Sequence, residues 1–227
     1  MLVIPVELFA CSYNDRKGPA DLEKVIARWS TWADNNAVST YAAWTLTPYY
    51  YGPEQDFDVI WLGAGTNAVE LGKAQDRYLA TNGGVDAAFR EVVTCDAHNN
   101  FASVNYKMPP QNATPQDSVL TFSDCKFKDG ATFTAVSAAM AEWSQYLADH
   151  GSSTGIWHWY PVYGGGQEAF DFKWLEAHSS LEAMGGDYEI IGNGGGFITQ
   201  GRLMGHLIDC DSSRVYLAKS RRFVQLR

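Results

Sequence analysis

The stretch LFACSYND at residues 8–15 decides the fold, because it returns as FSDCKFKD at residues 122–129, with Cys on Cys and the final Asp on Asp. Further pairs follow at nearly the same offset: WSTW at 29–32 with WSQY at 143–146, and FDVIWL at 57–62 with FDFKWL at 170–175. Self-similarity at a fixed period indicates an internal repeat. The chain is therefore predicted to be two tandem copies of one unit.

The remaining cysteines support the same division of the chain. Cys95-Asp96 corresponds to Cys210-Asp211, so every cysteine has a counterpart in the other copy. A Pro-rich polar segment around residues 108–117 separates the copies and suits neither a helix nor a central strand. We expect repeat one at residues 1–107, a linker at 108–117, and repeat two with a C-terminal tail at 118–227.

Each copy has the same predicted order of elements. An alternating strand leads to a helix over residues 21–34, whose apolar residues recur at helical spacing. Two strands follow as a hairpin around the Tyr-Gly-Pro at residues 51–53, then a helical region and a last strand at residues 100–107. The order β-α-β-β-α-β is that of the ferredoxin-like unit, so the predicted fold class is α+β.

Two such units in one chain resemble the dimeric α+β barrel superfamily in a single-chain, duplicated form. The resemblance implies a pseudo-dimeric barrel whose sheets face each other around a cavity. It also implies chemistry of the oxygenase, isomerase, cyclase or haem-enzyme type. Residues 170–178 and 209–216 are, in addition, similar to a group of uncharacterised bacterial proteins.

Composition excludes some partners. The net charge is −9 with a sequence pI of about 4.9, and such a field repels a phosphate backbone, so nucleic acid is not expected. The sequence has no apolar run of the roughly 20 residues that a membrane span needs. The segment Leu8 to Cys11 looks like a lipoprotein cleavage box, but Pro5 and Glu7 break the apolar run before it, which indicates a strand instead. A small-molecule ligand is the expected partner, and a homodimer is left open.

Two glycine-rich motifs suggest catalytic loops but fit structural roles better. GSSTG at residues 151–155 matches a nucleophile elbow, yet that motif needs a strand before it and a helix after it, the reverse of the order here. GNGGG at residues 192–196 lacks the Lys of a phosphate loop and interrupts a helical region. It is therefore predicted to be a break that needs positive φ.

Differences between the copies point to a site. In copy two, the hairpin gains His158, Lys173, Glu176 and His178 where copy one has Thr45, Ile60, Gly63 and Gly65. Strand alternation places Phe172, Trp174, Glu176 and His178 on one face, with His158 opposite Trp174 and Tyr160 beside it.

This face predicts acid–base chemistry in an aromatic-walled cavity. The candidate bases are His158, Glu176 and His178, and Tyr160 is the candidate hydrogen-bond donor. The ligand would lie against a wall of Phe172, Lys173 and Trp174.

The leading hypothesis is a cofactor-free oxygenase or isomerase that acts on a largely apolar ligand. A non-catalytic binding protein and a haem protein are the alternatives, and two histidines with a carboxylate also suit a single metal ion, although no metal or other cofactor is the primary prediction. His98, expected in a loop after Cys95, is a weaker candidate.

The cysteines lack the spacing of a zinc site. In the ferredoxin-like strand order 4-1-3-2, the first and last strands of each copy are antiparallel neighbours, so Cys11 can meet Cys95 and Cys125 can meet Cys210. The alternative is four buried thiols. Bonded cysteines indicate a periplasmic or secreted protein, and free ones a cytoplasmic protein.

Overall fold

The computed structural model describes residues 3–110 and 117–226, so residues 111–116 of the predicted linker and the chain ends lie outside the described residues. The elements follow the predicted order, but the last strand of the first half begins at Val93 rather than at residue 100, and a short extra strand precedes the final one. In chain order the elements are β1 (Val3–Tyr13), α1 (Pro19–Asn35), β2 (Tyr41–Tyr50), β3 (Val59–Gly65), α2 (Ala68–Thr81), α3 (Val85–Val92), β4 (Val93–Lys107), β5 (Ser118–Phe127), α4 (Phe133–Asp149), β6 (Gly155–Tyr163), β7 (Phe172–His178), α5 (Leu181–Ile191), α6 (Gly196–Met204), β8 (Ile208–Cys210) and β9 (Arg214–Arg222).

Local chemistry explains where the helices begin and end. Asn67, Thr132 and Ser180 stand at the N-caps of α2, α4 and α5, where each side chain accepts a hydrogen bond from a backbone N–H of the first turn. The predicted glycine breaks are confirmed, since Gly84 and Gly195 have φ of 81° and 78° and separate α2 from α3 and α5 from α6.

The strands close into a barrel. In the first half, the hydrogen-bonded order is β4-β1-β3-β2, and in the second half β9-β5-β7-β6. Strand β2 pairs with β9 and β4 pairs with β6, so eight strands form a continuous antiparallel ring, with β8 beside β5. The chain is thus an α+β protein built around a closed eight-stranded barrel.

The barrel has two chemically different faces. The inner face carries a continuous apolar core that includes Val6, Leu46, Phe101, Leu120 and Trp159. Helices α1, α2 and α3 cover the outer face of the first half, and α4, α5 and α6 cover that of the second half. A residue's position along a strand therefore decides whether it faces the barrel or a helix.

Two disulfides join neighbouring strands, one in each half. The sulfurs of Cys11 and Cys95 are 2.04 Å apart, and those of Cys125 and Cys210 are 2.06 Å apart. These are the pairs expected from the strand order. The Cα separations of 3.9 and 4.1 Å lie just below the usual range of about 4.4–6.8 Å, because the bonded residues are directly opposite in register.

Candidate active site

The predicted cluster around His158 lies in a packed core rather than on a cavity wall. His158 stands opposite Trp174, as expected, and its ring stacks on Phe172 with centroids 4.3 Å apart. These residues do share the outer face of the barrel, but α4 covers that face closely through Trp143 and Met140. The expectation that His158, Phe172 and Trp174 line a concavity is therefore corrected by the structure.

The surroundings of His158 are those of a core histidine. The side chain is fully buried, its Nε2 has no hydrogen-bond partner, and its Nδ1 is 3.5 Å from the Tyr160 hydroxyl. Burial lowers the pKa of His158 to about 3, so the imidazole is neutral at ordinary pH. Burial also raises the pKa of the Tyr160 hydroxyl. A substrate could reach the His158 ring only by displacing the side chains that pack on it.

Glu176 and His178 share the predicted face but hold an ionic contact instead of a ligand. The Nδ1 of His178 is 3.0 Å from Asp187 Oδ2 on α5, and its Nε2 is 3.7 Å from Glu176 Oε2. Burial lowers the pKa of His178, but the two carboxylates together outweigh it and raise the value to about 9. Lys173 lies on the other face of β7, where its Nζ is 2.5 Å from Asp124 Oδ1. The imidazolium therefore links β7 to α5.

A cavity of about 840 Å³ lies in the first half of the chain, between the outer face of the barrel and helices α1 to α3. This volume is within the range of small-molecule sites. Its wall is largely apolar, and it includes a set of aromatic side chains, Phe9, Trp29, Trp32, Trp61, Tyr78 and Phe89.

Glu7 is the centre of the polar part of this cavity. It is only 4% exposed, and it projects from the middle of β1 towards the helices. Tyr41 Oη donates to Glu7 Oε1 at 2.6 Å, and Gln75 Nε2 donates to Glu7 Oε2 at 2.8 Å. His98 Nε2 is 2.9 Å from the same Oε2. A buried carboxylate thus has three partners from three different elements, β2, α2 and β4.

Tyr41 is held as a hydrogen-bond donor. Trp61 Nε1 donates to the Tyr41 hydroxyl at 3.0 Å, so the hydroxyl proton is directed to Glu7. Burial and the neighbouring Glu7 charge raise the pKa of Tyr41 well above its usual value of 10. The phenol therefore stays protonated at ordinary pH.

Gly63 makes room for this network. It is the cross-strand partner of Glu7, and the ring of Tyr41 lies over it, so that a Cβ at this position would be 1.9 Å from the Tyr41 hydroxyl. The aligned position in the second half is Glu176. The halves do differ in side chain at this position. The cavity, however, lies in the half that has the glycine and not in the half that has Glu176.

His98 connects the cavity to solvent. The structure places it in β4 rather than in a loop, with its ring stacked on Phe9 at a centroid distance of 3.7 Å. Its side chain is about half exposed (51%), whereas that of Glu7 is almost completely buried. Because a carboxylate only accepts hydrogen bonds, the Nε2–H of His98 donates to Glu7 and orients it from the solvent side of the cavity.

The sequence contained one signal for this site. Glu7 was noted only as a residue that breaks an apolar run, yet a carboxylate in the middle of a buried strand must have partners. No comparable pattern marked Tyr41 or Gln75, whose roles depend on the packing of β2 and α2 around Glu7. His98 was placed below the second-half histidines because its strand was predicted to begin later.

Within residues 3–110 and 117–226, no group of three or more His, Cys, Asp or Glu side chains is arranged to hold a metal ion. Nor does that part of the chain contain a helix long and apolar enough to cross a membrane.

Comparison with known proteins supports the fold. No family model matches the chain, and no curated protein matches it. Among solved structures, chlorite dismutase from Candidatus Nitrospira defluvii in complex with imidazole aligns with a TM-score of 0.55 at 10% identity, over 96% of this chain and 91% of that one. A heme-binding protein from Thermus thermophilus gives 0.57 at 9% identity (96% and 92% covered), and an anthrone oxidase-like protein gives 0.54 at 11% (96% and 93%). The chain therefore shares its overall fold with these proteins.

Proposed function

We propose that the protein is an enzyme that removes a proton from an activated C–H bond of a largely apolar, aromatic ketone bound between the barrel and helices α1 to α3. The observation that carries this proposal is the Glu7 carboxylate, buried on an aromatic wall and held by Tyr41, Gln75 and His98. Such a carboxylate is suited to general base catalysis because it is oriented and shielded from water.

The hydrogen bonds assign a role to each oxygen of Glu7. Oε2 has two partners, Gln75 and His98, whereas Oε1 accepts only from Tyr41 and keeps a second lone pair. Oε1 is therefore the atom that accepts the substrate proton. An ionised carboxylate can only accept, so His98 donates its Nε2–H to Oε2 and, together with Gln75, fixes the plane of the carboxyl group. Oε1 keeps the substrate proton until it returns it to another atom of the carbanion, or gives it to the peroxide that forms when the carbanion reacts with dioxygen.

The cavity defines the class of substrate. Its volume of about 840 Å³ and its aromatic wall suit a fused two- or three-ring molecule. The name of one neighbour, an anthrone oxidase-like protein, supports this class, because anthrone is a flat tricyclic ketone whose CH₂ group is acidic. The resulting carbanion can be reprotonated at another atom or can react directly with dioxygen, which accounts for an isomerase or a cofactor-free oxygenase.

A haem function was tested against the same residues and does not fit them. Haem iron needs an axial His, Cys, Met or Tyr. All cysteines are in disulfides, and the Nε2 of His98, the histidine on this wall, is already 2.9 Å from Glu7. Of the tyrosines on the wall, Tyr41 is held between Glu7 and Trp61, and burial raises the pKa of Tyr78 to about 12, which disfavours the phenolate that would bind iron. Haem would require His98 to leave Glu7, and we derive no step through it.

The test is deuterium exchange at the CH₂ group of anthrone, followed by NMR under nitrogen so that oxidation does not compete. We expect the wild-type protein to accelerate exchange and Glu7→Gln to lose about 10²–10⁴-fold of that rate, the usual range for a general base. Glu142→Gln is the matched control, because it makes the same chemical change on the exposed face of α4. Equal rates for wild type and Glu7→Gln contradict the proposal.

The same experiment separates catalysis from binding alone. If anthrone binds to wild type and to Glu7→Gln with equal affinity and neither protein accelerates exchange, the cavity is a non-catalytic ligand site. An absorption spectrum of the purified protein tests haem independently, because bound haem gives an intense Soret band and the residues described above predict none.

We further propose that the chain is a duplication of a ferredoxin-like unit, with units at residues 1–107 and 118–227 joined by the linker at 108–117. The equal strand order of the two halves and the disulfide within each half support this proposal.

The disulfides also favour an extracytoplasmic, oxidising location. Thiol alkylation of the protein isolated from its native cells tests this, since four reactive thiols would contradict an oxidising location.

A further inference from the structure

The interior of the barrel contains a second cavity, of about 940 Å³. It lies on the opposite side of the sheet from Glu7, at the end of the barrel where the chain passes from β9 into its C-terminal segment. Trp44 and Trp157 form part of its wall, and small side chains at Ala64, Ser103 and Ala177 leave the space open. A barrel of eight strands has an interior that is either filled by side chains or wide enough to hold one small ligand, and this volume matches the second case.

Three residues on the wall of this cavity have a buried polar atom without a hydrogen-bond partner among the described residues. They are Trp159 at Nε1, Ser220 at its hydroxyl and His178 at Nε2, although the last is 3.7 Å from Glu176. The Trp159 side chain is 3% exposed, so its N–H is not satisfied by bulk water, which is unfavourable. An indole N–H can only donate, so the complementary group on a bound molecule is an acceptor oxygen.

The charges around the cavity restrict the ligand further. No Lys or Arg is among the described residues that line it. Asp117 and His178 are the ionisable groups on the wall, and His178 reaches it from the end of β7. Asp117 accepts from Ser220 N at 3.0 Å, and the His178 imidazolium already lies between the carboxylates of Asp187 and Glu176. An anionic head group would therefore find no uncompensated cation here, which favours an uncharged ligand.

A short segment forms one side of the cavity. Residues 223–226 follow β9 without regular structure and lie along the wall, and Leu226 packs against the inner core of the barrel. Phe223 is 43% exposed, so this side of the cavity lies near the protein surface.

We propose that the barrel interior is a binding site for a second small molecule, an uncharged amphiphile with an apolar body and an acceptor oxygen such as that of a ketone, ester or alcohol. The apolar body lies among the tryptophans and the acceptor oxygen takes the N–H of Trp159. The site is independent of Glu7 and of the proposed proton transfer.

The test uses the uncharged naphthyl ketone dye Prodan, whose emission shifts to shorter wavelength in an apolar site without hydrogen bonds. We expect wild type to bind it, and Ala177→Leu and Ser103→Leu, which fill the barrel cavity, to raise Kd at least tenfold. Prodan is a fused-ring ketone that can also enter the Glu7 cavity, so Kd is compared in proteins that also carry Ala74→Leu, which fills that helix-covered cavity. In this background Prodan should still bind, and Ala177→Leu should still raise Kd at least tenfold. Thermal melts identify any variant that fails to fold.

A shape-preserving variant keeps the test valid if the filled barrels are unstable. Trp159→Phe removes the unpaired N–H, so bound Prodan should emit at shorter wavelength and bind several-fold more weakly. Absence of binding to wild type, loss of binding in Ala74→Leu alone, or an unchanged emission in Trp159→Phe each overturns the proposal. None of these outcomes bears on anthrone exchange, which depends on Glu7.

Discussion

Replacement of Gly63 by Ala should disable the candidate site by adding a single methyl group. The backbone at this position needs no glycine conformation, so only space is at stake. The new Cβ would be 1.9 Å from the Tyr41 hydroxyl, whereas an ordinary contact needs at least 3.4 Å. Tyr41 must therefore move by about 1.5 Å, which breaks its hydrogen bonds to Glu7 and Trp61.

The energetic effect follows from these two bonds. A hydrogen bond to a charged group contributes about 1.5–3 kcal/mol and a neutral one about 0.5–1.5 kcal/mol, so their loss amounts to roughly 2–4 kcal/mol. Reduced entropy of the unfolded chain offsets about 0.4–1 kcal/mol of this. We expect the free energy of unfolding to fall by about 2–3 kcal/mol and exchange activity to fall at least tenfold.

Urea unfolding followed by tryptophan fluorescence measures the first quantity, and anthrone exchange measures the second. Gly72→Ala in α2 is the control, because a Cβ there meets no atom within 4 Å and Ala favours a helix by about 1 kcal/mol. If Gly63→Ala unfolds like wild type and keeps full activity, Tyr41 does not position Glu7 and the reasoning about the glycine is wrong.

Three further predictions concern stability. The pKa of His178 is raised from 6.5 to about 9, so protonated His178 contributes on the order of 3 kcal/mol to the free energy of unfolding. This contribution is complete below pH 6.5 and is lost as pH rises to about 9. Thermal melts at several pH values should show the loss in wild type and not in His178→Gln. The pKa of His158 is lowered to about 3, so between pH 6.5 and 3 the unfolded chain binds a proton that the folded chain does not. The free energy of unfolding should therefore fall by about 1.4 kcal/mol per pH unit below pH 6.5. His158→Phe should remove that slope, and an unchanged slope would contradict the buried neutral imidazole. Replacing Cys125 and Cys210 by Ser should lower the free energy of unfolding by roughly 2–5 kcal/mol, because their disulfide closes a long loop of sequence separation 85; an unchanged urea midpoint would argue against the bond.

The barrel could be predicted because both halves of the chain have the same order of strands and helices. Matching stretches around Cys11 and Cys125 predict the strand that starts each half, and strand order alone brings each cysteine beside its partner. Alternation along β7 also placed Phe172, Trp174, Glu176 and His178 on one face correctly.

Sequence could not predict how closely each half is covered by its helices. Both halves present an aromatic outer face, and whether that face is filled or hollow depends on helix packing. In the second half, Trp143 fills the layer above His158. In the first half, α2 buries only Leu71 among its residues, which leaves the space next to Glu7. Glu176 and His178 in the second half therefore form an ionic contact, whereas Gly63 in the first half lies beside the cavity.

The most direct test of the central claim is a crystal structure of the protein with anthrone, prepared without oxygen. We predict that anthrone lies between the barrel and helices α1 to α3, with its CH₂ carbon about 3–3.5 Å from Glu7 Oε1, the separation of reacting atoms poised for transfer. Anthrone bound only inside the barrel, or bound in this cavity with its CH₂ group turned away from Glu7, would contradict the account.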